Sequence, residues 1–183
     1  MERPSGSGLR DRFRAQVREE TKQLALRQLA EGGPEALSLN AIAKRLGVSG
    51  PALYRYFANR DSLLTELIID AYDDLGAALE AADVPVDRLR SLVRAYRGWA
   101  VAEPHRYRLL FRAPLPGYDA HAERLVEASQ RAMNVALDVV GQDQSKAVAL
   151  WAWLHGLVSL EIDGNFASMG FDPAPLYEAV PFA

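Results

Sequence analysis

The chain has 183 residues, a formal net charge of −3 at neutral pH and 49% hydrophobic residues. This length and hydrophobic content are sufficient for one large or two small globular domains. The chain has no cysteine, which excludes a disulfide framework and a thiolate metal site. The first residues do not have the pattern of a signal peptide, so we expect a cytoplasmic protein.

The charge is unevenly distributed along the chain. Residues 1–64 hold 11 Lys and Arg against 7 Asp and Glu, whereas residues 65–183 hold 10 against 17, so the net charges are +4 and −7. Such a split favours a basic head that faces an anionic partner, on an acidic body. Scattered solvated charges would give a milder split, so the distribution supports nucleic-acid binding without establishing it.

The first helix is predicted to follow a short polar leader. Residues 1–8 contain Pro and two Gly, and we expect them to be disordered. A helical apolar pattern runs from about Leu9 to Glu31, and Gly32-Gly33-Pro34 ends it. We assign residues 9–58 to a first domain.

Two short amphipathic segments, hinged at Gly47-Val48-Ser49, follow this helix. Ser38 is placed to cap the first segment, and Gly47 ends it where a left-handed backbone is usually needed. Ser49 caps the second segment, with Pro51 in the first turn, where a missing N–H costs nothing. The apolar face of the first segment is formed at the helical period by Leu39, Ile42, Ala43 and Leu46.

The second segment has an inner and an outer face. Leu53 and Phe57, four residues apart, point to the core. Two helices joined in this way form a helix-turn-helix, which places its second helix in the DNA major groove. Short helices with a glycine turn also occur in ordinary helical proteins, so a helical protein-interaction module remains an alternative. The outer face consists of Pro51, Ala52, Tyr54 and Arg55.

A long helix is predicted next, from its cap Asn59 to Ala82. Arg60 stands in its first turn, where free backbone N–H groups and the helix dipole favour an anion such as a DNA phosphate. We assign residues 59–82 to a connecting helix and residues 83–183 to a larger second domain.

The second domain is predicted to be helical throughout. No alternating strand pattern occurs, so the whole chain is predicted to be all-α, with about nine helices. The helical patterns of this domain cover residues 86–102, 104–111, 118–140 and 144–169, with a short terminal turn at 173–179.

From about Leu24 to Leu67 the chain resembles the tetracycline-repressor (TetR) family of bacterial transcription regulators. The resemblance implies a three-helix DNA-binding head on a larger helical body that binds a ligand and dimerises. It also implies a repressor that an effector releases. The matching features, in family order, are an Ala/Leu-rich first helix, a Gly-Gly break, the run from Ser38 to Ser49, Leu53-Tyr54-x-Tyr56-Phe57 and Asn59-Arg60-Asp61-x-Leu63-Leu64.

The resemblance implies specific roles in DNA binding. Ser38 and Asn40 match positions that face the DNA backbone, and Tyr56 and Arg60 match phosphate contacts. Arg55 matches a position that varies within the family, so its role as base reader or phosphate clamp stays open. The other predicted DNA-binding residues are the cap Ser49 and the groove-facing Gly50, Pro51, Ala52 and Tyr54.

Aromatic residues recur on the middle helices of the second domain, where the family holds its effector. Such a lining suits an apolar small molecule, although aromatic residues at helical spacing are also common in a plain core. The candidate pocket residues are Tyr96, Trp99, Tyr107, Phe111, Met133, Trp151 and His155.

The segment over residues 147–160 is apolar nearly all round, so most of its circumference must be covered. It is too short to span a bilayer of about 30 Å. We expect it to supply both internal core and the interface of a homodimer, and its Trp151-x-x-x-His155-Gly156 run resembles a C-terminal subtype of the family. The candidate interface residues are Leu150, Trp153, Leu154 and Leu157.

An enzyme is a poor alternative for this sequence. The histidines have no partner at a recognised metal-ligand spacing, apart from His155 with Asp163, and the chain has no phosphate loop or nucleophile elbow. We expect no catalytic residue, no cofactor and no metal. The prediction is a dimeric, ligand-responsive transcription regulator that binds an inverted-repeat operator in double-stranded DNA and does not bind a membrane.

Overall fold

The computed structural model describes residues 6–82, 86–111, 117–119 and 122–180. This part of the chain holds ten α-helices, one 3-10 helix and no strand, which confirms the all-α prediction. Within the same residues, no helix is both long and apolar enough to cross a membrane.

The helices divide into two compact units. The first unit comprises residues 1–67 and 113–118, and the second comprises residues 68–112 and 119–183. The first unit holds α1 (Gly6–Gly32), a 3-10 helix (Pro34–Ala36), α2 (Leu39–Leu46), α3 (Gly50–Tyr54) and the start of α4 (Arg60–Ala81). The second holds the rest of α4 with α5 (Arg88–Ala102), α6 (Pro104–Phe111), α7 (Glu123–Val139), α8 (Gln144–Ile162), α9 (Asn165–Ser168) and α10 (Ala174–Glu178).

Several boundaries differ from the predicted ones. The helix predicted over residues 144–169 is split into α8 and α9, because Gly164 takes a left-handed φ of 77° that an α-helix cannot continue through. Residues 6–8, expected in a disordered leader, belong to α1. Residues 1–5 of that leader and the expected domain boundary at 83–85 lie outside the described residues.

A closely packed apolar core holds the first unit together. Thr21 is the buried polar residue of this core, and its Oγ1 donates to the Val17 carbonyl at 2.7 Å. Burying a single leucine side chain contributes about 1.5–3 kcal/mol. The side chains that are at most 6% exposed include Leu24, Ala25, Leu29, Leu39, Ile42, Ala43, Leu53, Phe57, Leu63, Leu64 and Leu67.

Helices α5 and α8 lie at the centre of the second unit, where Val93 packs with residues of α8. Leu150 and Leu154, expected at a subunit interface, are each only 1% exposed. The chain therefore covers these two side chains itself, and they have almost no surface left for a partner. Trp153 and Leu157, expected at the same interface, are half-buried and pack against this core.

The half-buried carboxylate of Glu161 joins α5, α8 and α10. Arg97 donates two hydrogen bonds to Glu161, at 3.0 and 2.7 Å, and the Tyr177 hydroxyl donates a third at 2.8 Å. Burial raises the pKa of Glu161, but the hydrogen bonds from Arg97 and Tyr177 outweigh it and leave the pKa below its ordinary value. The ionised carboxylate therefore stabilises this end of the second unit.

Two glycines on helices should respond to alanine in opposite directions. Gly47 ends α2 at φ 69°, so Gly47→Ala should lower the free energy of unfolding by about 1–2 kcal/mol. Gly98 lies in α5 and an added Cβ would meet nothing within 4 Å, so Gly98→Ala should raise it by about 0.5–1 kcal/mol. Urea unfolding of the three proteins measures both changes, and shifts of the same sign would contradict the assigned backbone conformations.

Candidate nucleic-acid interface

Helix α3 presents a polar face because its apolar face is anchored in the core. Leu53 is 0% exposed, and Phe57, just beyond the helix end, is 1% exposed. Pro51, Tyr54 and Arg55 are exposed on the outer side. These side chains can stack, donate hydrogen bonds and contact methyl groups, which are the interactions that read base edges in the major groove.

The turn before α3 is fixed by hydrogen bonds. Gly47 adopts the left-handed φ of 69° that ends α2, and the Val48 N–H donates to the Ala43 carbonyl at 3.0 Å. Ser49 Oγ then accepts from the Ala52 N–H at 3.3 Å. The structure thus confirms the glycine stop and the serine cap that the sequence predicts.

The N-terminal ends of α2 and α3 lie side by side. Ser38 Oγ caps α2 by accepting from the Ala41 N–H at 3.3 Å, and Asn40 is exposed in the first turn. A Cβ atom at Gly50 would lie 3.3 Å from Asn40 Oδ1. Glycine at this position therefore lets the Asn40 amide approach the start of α3, and the two predicted DNA-binding residues are neighbours.

The start of α4 is a second capped helix end. Asn59 Oδ1 accepts from the Ser62 N–H at 2.7 Å, and Ser62 Oγ accepts from the Asn59 N–H at 3.2 Å. Arg60 is half-buried in the first turn, beside Asp61. Tyr56, the other predicted phosphate contact, is also half-buried.

Two residues of α1 that sequence reasoning missed contact the helix-turn-helix. Gln28 Oε1 accepts from the Ser38 N–H at 3.0 Å, and Arg18 donates to the Tyr56 carbonyl oxygen at 3.0 Å. Both residues stand three positions from a buried residue of α1. This place at the edge of the inner face is the only sequence signal that could have drawn attention to them.

Five of the seven predicted pocket residues form one aromatic cluster in the second unit. Tyr107 Oη lies 2.7 Å from His155 Nδ1, and the Tyr107 ring meets the Tyr96 ring edge-on, with 6.1 Å between centroids. The His155 ring stacks on that of Trp151 at 5.9 Å and lies 4.6 Å from that of Phe111. The sequence prediction therefore grouped residues that do meet.

The Tyr96 hydroxyl lies beside the side chains of Tyr107 and Trp151. It is buried, and no described residue makes a well-formed hydrogen bond to it. Burial raises the pKa of Tyr96 well above its ordinary value of 10, so the hydroxyl keeps its proton. A buried donor without a well-formed hydrogen bond is costly, and an acceptor placed beside it would recover that cost.

The other two predicted pocket residues lie apart from these ring contacts. Trp99 packs against the core of the second unit, and Met133 is half-buried on α7. A separate open groove of about 830 Å³ lies along α5 and α10, and none of the seven predicted residues lines it. Its lining includes Arg94, Gly98, Val101, Asp172 and Pro175.

The helix-turn-helix geometry agrees with two family-model matches. Residues 23–67 match "Bacterial regulatory proteins, tetR family", and residues 89–180 match "Tetracyclin repressor-like, C-terminal domain". The chain belongs to the tetR family. The second match covers the region that holds both the aromatic cluster and α8.

Individual relatives agree with this family. The HTH-type transcriptional regulator Rv1816 of Mycobacterium tuberculosis is 33% identical over 94% of this chain and 92% of its own. The crystal structure of the regulatory protein SCO4313 is 42% identical, covers 92% of this chain and 95% of that one, and has a TM-score of 0.82. A tetR family transcription regulator from Shewanella sp. PV-4, 16% identical with a TM-score of 0.68 over 90% and 93% of the chains, shares the fold.

This tetR-family protein is therefore a DNA-binding transcription regulator and not an enzyme. Within the residues that the structure describes, no group of three or more His, Asp or Glu is placed to hold a metal ion. The exposed outer face of α3 is the surface that a DNA-binding function requires.

Substitutions at Arg60 and Arg55 should affect DNA binding differently. Arg60→Ala should weaken binding to all duplexes alike and flatten the dependence of log affinity on log salt by about one unit, because a phosphate contact is lost. Arg55→Ala should change which sequence is preferred if Arg55 reads a base, at about 1–3 kcal/mol per lost contact. Fluorescence anisotropy at two salt concentrations measures both effects. Equal binding by Arg60→Ala and the parent at both concentrations would exclude the phosphate role.

Proposed function

We propose that this regulator is a cytoplasmic repressor that binds an inverted-repeat operator as a homodimer and leaves it when a small apolar effector binds. The observation that carries the proposal is the exposed face of α3 on a helix anchored by buried Leu53 and Phe57. We assign residues 9–58 to DNA binding, 59–82 to the connecting helix, and 83–183 to effector binding and dimerisation. The repressor sense is supported by family membership.

Enrichment of genomic DNA fragments by the purified protein tests this function. We expect a small set of fragments that share an inverted repeat, because a two-fold dimer presents two identical reading helices about 34–36 Å apart or somewhat more. A reporter gene placed behind the enriched repeat should be expressed less when the protein is present. Recovery of bulk DNA without a shared sequence would contradict specific recognition, and increased expression would contradict repression.

An exposed apolar stripe on α8 supports the homodimer. Val148 and Leu160 are 45% and 44% exposed, and Ala152 and Gly156 are exposed between them. Spacings of four residues place all four on one side of the helix. Contiguous exposed apolar surface favours cover by another molecule, and a second copy of the same stripe would provide that cover. We place the dimer contact here, because Leu150 and Leu154 are already buried.

Gly156 offers a test of the dimer that leaves the monomer intact. An added Cβ at Gly156 would meet nothing within 4 Å in this chain, and arginine has a better helix propensity than glycine. Gly156→Arg should therefore fold and should give a monomer in sedimentation at micromolar concentration, because the long cation blocks close helix approach.

Gly98→Arg is the matched control for Gly156→Arg. Gly98 is also an exposed helical glycine, and an added Cβ would meet nothing within 4 Å, but it belongs to α5 and not to the stripe on α8. The control should sediment with the mass of the parent dimer. A monomeric parent, or a Gly156→Arg variant that stays dimeric, would remove the support for this interface.

The aromatic cluster supports an effector of a definite chemical kind. Its rings suit a flat apolar molecule, and the Tyr96 hydroxyl offers one hydrogen bond from a group with no well-formed hydrogen bond among the described residues. We infer an uncharged ring compound with a carbonyl or ether oxygen. The proposed effector contacts are Tyr96, Tyr107, Phe111, Trp151 and His155.

Helix α6 connects the aromatic cluster to α4 within the second unit. α6 carries Tyr107 of the cluster, and on the same helix Arg106 donates to the Asp70 carbonyl of α4 at 3.2 Å and to the Asp74 carboxylate. The Tyr72 hydroxyl of α4 donates to the Leu110 carbonyl of α6 at 3.3 Å. A displacement of α6 by an effector would therefore also displace α4, through these hydrogen bonds.

The start of α4 has a further contact inside the first unit. Thr65 Oγ1 lies 2.8 Å from the Tyr118 hydroxyl, and Tyr118 belongs to the segment that follows α6 in the chain.

The effector must also distinguish between two conformational states of the regulator. To shift their ratio from 1:99 to 99:1, it must favour one state over the other by about 5.5 kcal/mol. Two copies on a dimer would share that requirement.

Removal of one hydroxyl should test the effector site. Tyr96→Phe should fold normally, because the lost hydroxyl makes no well-formed hydrogen bond to a described residue, and its affinity for the operator without effector should equal that of the parent. It should need about fivefold to tenfold more effector to leave the operator, because one buried hydrogen bond is lost. Operator release is measured with a compound selected from a screen of uncharged ring compounds against the parent complex.

Val101→Ala is the comparison for this test. Val101 lines the groove along α5 and α10 and lies outside the aromatic cluster, so this variant should need the same effector concentration as the parent. If Val101→Ala shifts release and Tyr96→Phe does not, the effector binds in that groove and the proposed site is wrong.

A further inference from the structure

Arg18 of α1 makes three contacts, two with residues just after α3 and one with α4. Its Nη1 donates to the Tyr56 carbonyl oxygen at 3.0 Å, and its Nη2 donates to the Glu66 carboxylate of α4. Its guanidinium carbon lies 4.9 Å from the centroid of the Phe57 ring. One planar cation thus touches α4 and two consecutive residues that follow α3.

The contact to Tyr56 restrains α3 itself. Both the Tyr56 and the Phe57 N–H groups donate to the Leu53 carbonyl of α3, at 2.9 and 3.2 Å. Phe57 is buried under the guanidinium at 1% exposure, so the backbone between Leu53 and Phe57 has little freedom. A displacement of the Tyr56 carbonyl would therefore also move the end of α3.

The contact to Glu66 connects the same cation to α4. Glu66 is held from a second side by Lys22, whose Nζ lies 3.9 Å from Glu66 Oε2. Gln28, ten residues after Arg18 and therefore about 15 Å along α1, accepts from the Ser38 N–H at the start of α2. Helix α1 therefore contacts both ends of the helix-turn-helix through polar side chains.

We propose that Arg18 is a positioning residue for DNA recognition: it sets the orientation of α3 relative to α4 and thereby the discrimination between operator and other DNA. The proposal rests on the assignment of α3 as the reading helix. The five-residue α3 is too short to be stable in a fixed orientation without tertiary contacts. Burial of Leu53 and Phe57 supplies apolar contacts, and the guanidinium group of Arg18 adds a polar restraint. Arg18 acts through the Tyr56 carbonyl and not by contact with DNA.

The test compares operator affinity with affinity for a scrambled duplex, at two salt concentrations, for the parent, Arg18→Ala, Arg18→Lys and Glu66→Gln. The operator is the repeat recovered by genomic enrichment. Arg18→Ala and Arg18→Lys should each reduce the operator-to-scrambled ratio by about tenfold, with an unchanged salt slope. Lysine keeps the charge but cannot donate to two acceptors in the fixed geometry of the guanidinium. Glu66→Gln should reduce the ratio less, and combining it with Arg18→Ala should add little.

Arg27→Ala is the matched control, because Arg27 is an exposed arginine of the same helix. It should leave the ratio unchanged. A thermal unfolding curve shows which variants are folded, and if Arg18→Ala is unfolded, Arg18→Lys and Glu66→Gln decide the question.

Two results would overturn the proposal. A parallel loss on both duplexes, with a salt slope flatter by about one unit, would make Arg18 a phosphate contact. Unchanged ratios in folded Arg18→Lys and Glu66→Gln would reduce Arg18 to a structural residue. If the parent itself does not discriminate operator from scrambled DNA, the proposed sequence-specific function fails instead, and the two failures are distinguishable.

Discussion

The DNA-binding unit depends on the burial of two side chains, Leu53 and Phe57, which are 0% and 1% exposed. A five-residue helix has no independent stability in water, because nucleation costs more than so few hydrogen bonds return. Helix α3 therefore exists because its apolar side is part of the core, and its polar side is presented to solvent as a consequence. The turn at Gly47 sets the approach to that core, and α1 and α4 form its walls.

The second unit must be stable although its aromatic cluster contains the buried Tyr96 hydroxyl, which has no well-formed hydrogen bond among the described residues. Its centre, built from α5 and α8, is conventional apolar packing. The ring cluster at its side combines paired polar atoms, such as those of Tyr107 and His155, with the Tyr96 hydroxyl, to which no residue of the described part of the chain makes a well-formed hydrogen bond. Helix α6 contributes to this cluster and also donates and accepts hydrogen bonds on α4.

Local chemistry explains what could be predicted from the sequence. The caps Ser38, Ser49 and Asn59 and the glycine at position 47 act on backbone groups within three or four residues, so sequence patterns identify them directly. The period of the apolar residues separated the inner from the outer face of α3 for the same reason. Five of the seven predicted pocket residues meet in one cluster, whereas Trp99 and Met133 lie apart from it, and contact of any of them with a ligand is a proposal.

Features that depend on distant parts of the chain were harder to predict. The apolar run of α8 is symmetrical enough that its period does not show which side meets α5, so the predicted interface residues include Leu150 and Leu154, which are buried within the chain. The break at Gly164 depends on a left-handed backbone, and the polar Asp163-Gly164-Asn165 run, which is typical of a turn, is too short to interrupt the helical pattern on either side of it. Arg18 resembles any other charged residue of α1 until the fold brings Tyr56 and Glu66 to it, 38 and 48 residues further along the chain.

The cap of α3 limits which residues can stand at position 49. Ser49 Oγ uses a lone pair to accept the Ala52 N–H, while its own proton can still be donated to a phosphate oxygen in the proposed complex. Aspartate caps a helix as well as serine does, but at this position it would hold a negative charge against a polyanion. Ser49 Oγ must therefore both cap the helix and be compatible with a nearby phosphate. These requirements usually fall on different residues, and a small neutral hydroxyl group meets both.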